Sequence, residues 1–290
     1  MKLAVIIPAA GSSRRFAGGR DVLDMARSKL DEDIGGKPVL QRAIELFTNL
    51  EQTSCIIVAG PADDKAMEQF KSRHLDRLSF LGAKLVAGGR EHRWQSVKAA
   101  LEHVPEECTH VAVHDAARPC TPIEMIERVL DMASRYPAVI PAIEVSDTLK
   151  RVRETDRPSD DVDPLAAILG DDAPGPQKKK LRVVDGGVDR SGLVMVQTPQ
   201  VFESGLLKAA YSRIDLPELG ATDDAGVVEH FWRTVPPRER TGVGASGRDA
   251  VVVVQGDVRN IKITRTEDVR LVRSVMGVGG PAERPAHKRF

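Results

Sequence analysis

Several familiar signposts of function are missing from this chain. Its 42 basic and 42 acidic side chains cancel, so no overall field draws it toward nucleic acid or a membrane. Any anion site must then be a local gathering of cations. The 3 cysteines, Cys55, Cys108 and Cys120, lack metal-ligand spacing. An odd count, with two in apolar runs, fits reduced, packed thiols in a cytoplasmic protein rather than a disulfide framework. No apolar run is long enough to span a bilayer. The first residues lack the basic segment, long apolar core and cleavage site of a secretory leader. No Walker A lysine motif occurs. The G-x-G-x-x-G match at Gly242-Val243-Gly244-Ala245-Ser246-Gly247 follows a polar run and leads into a strand. A dinucleotide turn needs the opposite order, so this match is set aside. Asp31-Glu32-Asp33 has the composition of a metal cluster but reads as a solvated loop.

What is present begins at the N-terminus. An apolar run from Leu3 to Ile7 reads as a buried strand that breaks at Pro8 into Ala9-Ala10-Gly11-Ser12-Ser13 and reaches Arg14 and Arg15. Small side chains let backbone N–H groups come close to a phosphate chain, and arginines add fixed positive charge beside it. A strand leading into such a turn is a usual nucleotide position in an open α/β sheet. The same residues also suit a plain tight turn with two solvated arginines.

At 290 residues the chain can bury a full core, as one large domain or one domain with an appendage. Strand-like runs recur at Leu3–Ile7, Cys55–Ala59, Lys84–Ala87, Val111–His114 and Ala138–Val145. Helical patterns lie between them. Pro38 opens one as a first-turn proline, with Leu40, Ala43, Ile44 and Phe47 on one face; Trp94, Val97, Leu101 and Val104 mark another. A third follows Thr121 as N-cap, with Met125, Ile126, Val129 and Leu130. This alternation predicts an α/β fold, a mostly parallel sheet with helices on both faces.

After Val145 the pattern changes. Arg151 to Val188 is rich in Asp, Pro, Lys and Gly and keeps no period, which predicts a solvated excursion. Asp147–Arg151 and Leu193–Val196 flank it and could pair as an arm. A second polar stretch runs from Thr234 to Arg248. The strand Val251–Gln255, a further strand Asn260–Thr264, a helix from Thr266 to Met276 and a frayed tail Gly277–Phe290 complete the chain.

Other stretches carry chemistry. Val113-His114-Asp115-Ala116-Ala117-Arg118-Pro119 ends a strand, where functional groups of open sheets collect; as a loop ion pair, Asp115 and Arg118 would only fix the turn. Gly88-Gly89 with Arg93-Trp94-Gln95-Ser96-Val97 offers exposed backbone and a hydroxyl, or simply a glycine turn before a helix. Gln197–Phe202 and Thr222-Asp223-Asp224-Ala225 could be mere helix starts. Lys262, between apolar neighbours, is costly without an anion partner unless it snorkels to the edge.

Taken together, AAGSSRR, GG…RWQSV, VHDAARP, DTLKR, DRSGL…QTPQVF, TDDA and NIKIT, from about Lys2 to Met276, resemble the 2-C-methyl-D-erythritol 4-phosphate cytidylyltransferase family. The resemblance implies a Rossmann-like sheet with a projecting β-arm that embraces a second subunit. It implies one nucleotidyltransferase domain over 1–276, with arm and insertion at about 146–196, a second insertion at about 234–248, and a tail over 277–290. The implied reaction joins CTP to methylerythritol phosphate with loss of pyrophosphate. A cytidylyltransferase for another polyol phosphate such as ribitol 5-phosphate, or a non-catalytic nucleotide-binding protein, is the competing reading.

The nucleophile of that reaction is already anionic, so the site needs cations and Mg²⁺ rather than a general base. Carried over, Arg15 and Lys29 look like cations that stabilise the transition state, and Arg190 and Lys262 like the pair that positions the second substrate. Asp115, Arg118 and Thr148 resemble further contacts to it. Ala9, Ala10, Gly11, Gly89, Arg93 and Ser96 resemble the nucleotide cradle. Mg²⁺ would come mainly on the CTP phosphates, without a protein carboxylate cage, and His114 reads as structural. The family's arm implies a homodimer with shared sites. The loop from Phe16 to Ser28 is longer than the family's, which leaves Arg27 and Lys37 as competitors of Lys29. One extra residue in Arg90–Arg93 leaves the cradle alignment open there.

Overall fold

The computed structural model describes residues 1–11, 16, 28–158, 180–236, 239 and 251–279. It divides into two compact units, residues 1–143 with 196–290, and residues 144–195.

The first unit is built on strands β1 (Leu3–Pro8), β2 (Thr53–Gly60), β3 (Ala83–Ala87), β4 (His110–Val113), β5 (Ala138–Glu144), β9 (Gln200–Glu203) and β10 (Val252–Gln255). They lie in the order β10-β5-β9-β4-β1-β2-β3. All neighbours are parallel except β9, which runs antiparallel to both β4 and β5. The mostly parallel α/β sheet expected from the sequence is therefore the fold. β1 explains why its run is apolar throughout: Leu3, Val5 and Ile7 enter one core and Ala4 and Ile6 the other, all fully buried. A strand covered on both faces has no polar side to show.

Helices α1 (Val39–Thr48), α2 (Asp64–Phe80), α4 (Ile123–Ala133) and α8 (Thr266–Val275) cover the first face. Helices α3 (Arg93–Leu101), α5 (Ser204–Arg213) and α7 (Asp224–Thr234) cover the second, and a single turn, α6 (Leu216–Leu219), adds Leu216 to it. On α1, Leu40, Ala43, Ile44 and Phe47 are buried as one stripe, the i, i+3, i+4 spacing of a helix laid on a sheet.

Some boundaries differ from expectation. Pro38 is the N-cap of α1 rather than its first turn. Pro122, not Thr121, caps α4; the Thr121 hydroxyl donates instead to Asn260 Oδ1 at 2.8 Å. Val104 falls beyond the end of α3. Gln200–Glu203 is a strand, β9, preceded by a cis Thr198–Pro199 bond. Asn260–Thr264 is irregular rather than a strand, with Ile263 N–H bonded to Ala117 C=O at 2.8 Å. α7 runs on to Thr234, so the polar stretch starts later than expected. The Val278 side chain packs on the first core, so the tail is anchored at least that far. Asp31 is not solvated: it faces His74 at 2.8 Å.

The second unit is a hairpin of β6 (Leu149–Pro158) and β7 (Lys180–Val188), antiparallel, and β8 (Val194–Val196) stands at the boundary of the units. The sequence reading paired the wrong strands. Strand structure runs well into the segment from Arg151 to Val188, and Leu149 pairs with Val188 rather than with residues 193–196.

Candidate active site

The carboxyl ends of β1, β3 and β4 open onto one cavity of about 760 Å³ in the first unit. Pro8 to Gly11, Gly89 to Arg93 and Asp115 to Ala117 supply its walls, together with Lys29, Lys262 and Thr264. A parallel sheet leaves this edge to its loops, which is why ligands gather there.

The glycine wall is close-packed. A Cβ on Gly88 would stand 2.6 Å from the Gly60 carbonyl oxygen, and one on Gly89 would stand 2.1 Å from Gln95 Cβ. The Ser96 hydroxyl, buried, accepts from Gly89 N–H at 3.0 Å. Gln95 Oε1 accepts from the N–H groups of Glu91 and His92, holding the start of α3. Ser96 thus shapes the wall as well as lining it.

Asp115 is the electrostatic centre. Its carboxylate lies 2.8 Å from Lys262 Nζ, 3.2 Å from Arg93 Nε and 3.6 Å from Arg118 Nε. Burial pushes the carboxyl up, but Arg93, Lys262 and Arg118 outweigh it and hold it well below the usual carboxylate range. The lysine among apolar neighbours has met its anion. Arg93 reaches further, with Nη1 donating to Asp224 Oδ2 at 2.6 Å, and Asp224, fully buried, also accepts from the Tyr211 hydroxyl at 2.5 Å. Burial lowers the Arg93 pKa, and Asp224 and Asp115 more than restore it. Arg118 stands behind the wall: it is buried, donates to the Asn260 carbonyl at 2.5 Å and does not line the cavity.

Beneath this lies a neutral relay. A carbonyl can only accept, so His114 Nε2–H donates to Arg118 C=O at 3.0 Å, and Nδ1 accepts from the Thr198 hydroxyl at 3.2 Å. That hydroxyl accepts in turn from Asp115 N–H at 3.0 Å. Burial lowers the His114 pKa to about 4, against weaker opposition from its bond to Arg118, in keeping with a structural histidine. Asn260 ties the strap carrying Lys262 to the sheet, its amide donating to the Thr198 carbonyl at 2.9 Å.

Lys29 sits on a one-turn 3-10 helix, Lys29–Asp31, and its ammonium donates to the Ile263 carbonyl at 3.1 Å, beside Lys262. Lys37, its competitor, is held by Glu45 at 2.8 Å and lines no part of the cavity. Arg15, Arg27 and the Gly242–Gly247 match lie outside the described residues. Thr148 and Arg190 belong to the second unit, where Arg190 donates to the Ser146 carbonyl. The cavity therefore gathers Ala9, Ala10, Gly11, Lys29, Gly89, Arg93, Ser96, Asp115 and Lys262 from the expected set.

Sequence reasoning missed Asp224, Tyr211, Thr198 and Asn260. For Asp224 there was a signal: in Thr222-Asp223-Asp224, Asp223 suffices as N-cap, accepting from Gly226 N–H at 3.1 Å, which leaves a spare acidic group.

An open α/β sheet with a cation-rich cavity at the ends of its parallel strands is the arrangement of a nucleotide-binding enzyme. The sequence model of the family 2-C-methyl-D-erythritol 4-phosphate cytidylyltransferase (IspD) matches residues 3–163 and 176–277. Curated relatives of that name include one from Symbiobacterium thermophilum, 33% identical over 94% of this chain and 92% of its own length. Another, from Frankia casuarinae, is 32% identical over 97% and 84%. The crystal structure of the Thermus thermophilus enzyme superposes with a TM-score of 0.62 at 26% identity, covering 96% of this chain and all of that one. The chain belongs to the 2-C-methyl-D-erythritol 4-phosphate cytidylyltransferase family.

Proposed function

We propose that the cavity binds CTP along the Ala9–Gly11 and Gly88–Ser96 walls, with the phosphate of methylerythritol phosphate held at Lys262 and the Asp115 carboxylate accepting from the polyol hydroxyls. An oxygen of that phosphate attacks the α-phosphorus of CTP. The new P–O bond forms as the bond to the bridging oxygen of pyrophosphate breaks, and no proton need move. Charge builds on the α-phosphate and the leaving group, where Lys29 and Arg15 would act. The observation that carries this reading is the arrangement of Arg93 and Lys262 around one buried carboxylate, with Lys29 lining the same cavity beside Lys262. Asp115 fixes the direction of the cations while the set stays net positive.

Mg²⁺, when bound, neutralises and orients the triphosphate. The buried carboxylate of the cavity is already held by Arg93 and Lys262, which fits a metal carried in on CTP phosphates better than one caged by protein. Thr148 and Arg190, on the hairpin unit, would contact the second substrate across a two-fold dimer. We read that unit as the arm of a single nucleotidyltransferase domain. The free thiols of Cys55, Cys108 and Cys120 agree with a reducing, cytoplasmic setting.

The test is CTP-dependent pyrophosphate release with methylerythritol phosphate and, in parallel, ribitol 5-phosphate. Faster turnover with ribitol 5-phosphate would overturn the substrate assignment. CTP binding in a calorimeter with no release on any polyol phosphate would overturn catalysis itself.

A further inference from the structure

The turn that carries Lys29 has its own anchor, outside the cavity. Asp31 Oδ2 accepts from Ser28 N–H at 3.1 Å, while the Ser28 hydroxyl accepts from Leu30 N–H at 3.3 Å, so the two side chains cap the turn reciprocally. The other Asp31 oxygen faces helix α2, 2.8 Å from His74 Nε2 and 3.6 Å from Arg73 Nε. His74 is only 4% exposed, its ring lying 4.7 Å from that of Phe70, inside the core of the first face. Burial raises the Asp31 pKa, yet His74, Arg73 and the Ser28 N–H together leave it lowered, so the carboxylate is held as an anion.

A solvated loop would need none of this. A turn of three residues is too short to be stable alone, so its direction must be imposed from outside. Here a core histidine and an arginine impose it. The chain of contacts runs from α2 through Asp31 to the backbone of Ser28 and Leu30, and Lys29 between them reaches the strap of Lys262.

We propose that the His74–Asp31 contact is a latch that positions Lys29 for the cytidylyl transfer, making Asp31 and His74 positioning residues. This rests on the reading of Lys29 as the transition-state cation. Displacement of such a charge by about an ångström weakens it at the reacting centre and leaves ground-state binding of CTP largely intact, with an expected loss of about tenfold.

The experiment is a kinetic double-mutant cycle on the full chain, using CTP and methylerythritol phosphate, with melting curves of each variant. Asp31→Ala should lower kcat about tenfold with the KM for CTP changed less than about twofold. Where Lys29→Ala is already present, the same change should cost less than about twofold, because the group it positions is gone. His74→Leu removes the nearer of the two α2 contacts to Asp31 while leaving the cap intact. It should repeat the pattern at about fivefold, and stands in if Asp31→Ala does not fold. An undiminished loss in the Lys29→Ala background, a change in KM alone, or full activity in both single variants would overturn the latch. Near-normal turnover of Lys29→Ala would instead sink the assignment of Lys29, and that arm tells the two failures apart because it leaves Asp31 and His74 untouched.

Discussion

Arg93 and Asp224, 131 positions apart in the chain, meet at 2.6 Å with the carboxylate fully buried. Arg93 opens α3 and Asp224 opens α7, so this pair joins the starts of two helices on the second face beneath the cavity. Both helices are therefore set by the group that also steers Asp115.

Removing one partner of a buried, hydrogen-bonded ion pair leaves the other charged and unmatched, at about 3–5 kcal/mol. Asp224→Ala should fall near the lower end, because Arg93 keeps Asp115 at 3.2 Å. Urea unfolding would measure it. The double variant Arg93→Met, Asp224→Leu should be more stable than Asp224→Ala, since no charge is stranded. Equal stability of Asp224→Ala and wild type would show that the pair contributes nothing.

His114 gives a pH signature. Its folded pKa of about 4 lies below the usual value of 6.5. Between these values the unfolded chain binds a proton that the folded chain refuses, so stability falls as pH falls. The contribution is fully present above pH 6.5, declines from there to about pH 4, and amounts to roughly 3 kcal/mol over that window. In His114→Gln the slope attributable to this residue should vanish. Stability curves of the two proteins that stay parallel from pH 7 to 4 would refute the assignment.

The architecture was legible where burial imposes a period. β1, with a different core on each face, shows as a continuous apolar run, and α1 as a stripe. The hairpin of β6 and β7 was not legible because its side chains are nearly all exposed along β7, and a strand exposed on both faces has no alternation to read. The site divides in the same way. Asp115 and Lys262 announced themselves, one at a strand end and the other as a charge among apolar neighbours. Arg118 announced itself too, but only coordinates place it behind the wall. Asp224 and Thr198 act through partners 131 and 83 positions away in the chain, and Tyr211 through Asp224 on another helix, and no local spacing records such a partner. The His74–Asp31 contact crosses from a helix to a loop read as solvated.

Gly88 tests the wall. Its N–H donates to the Gly60 carbonyl at 2.8 Å, and an added Cβ would press on that same oxygen, on Ser96 Oγ at 2.9 Å and on Ala10 Cβ at 3.2 Å. The carbonyl cannot retreat without disturbing the pairing of β2 with β3, where Gly60 faces Ala87. Gly88→Ala should therefore lose about 1–3 kcal/mol of stability and bind CTP more weakly, as read by thermal melting and by calorimetric titration. Unchanged affinity in a folded variant would move the nucleotide away from this wall.

The last prediction concerns assembly. The hairpin unit leaves Val184 64% exposed, with Val152 and Leu181 each at 40%, and a two-stranded ribbon is marginal without a surface to cover it. A two-fold dimer would supply one, and in the proposed arrangement Thr148 and Arg190 of one chain complete the site holding Lys29 and Lys262 of the other. Lys29→Ala and Arg190→Ala homodimers should then each be nearly inactive, since every site lacks one cation. Random re-pairing of equal amounts makes about half of the dimers mixed. In each mixed dimer one site carries both defects and the other carries neither. One site in about four is thus intact, and roughly a quarter of wild-type activity should return. Subunit exchange is verified separately with differently tagged chains. If the exchanged mixture stays inactive, Arg190 serves the site of its own chain, and the shared-site arrangement is wrong.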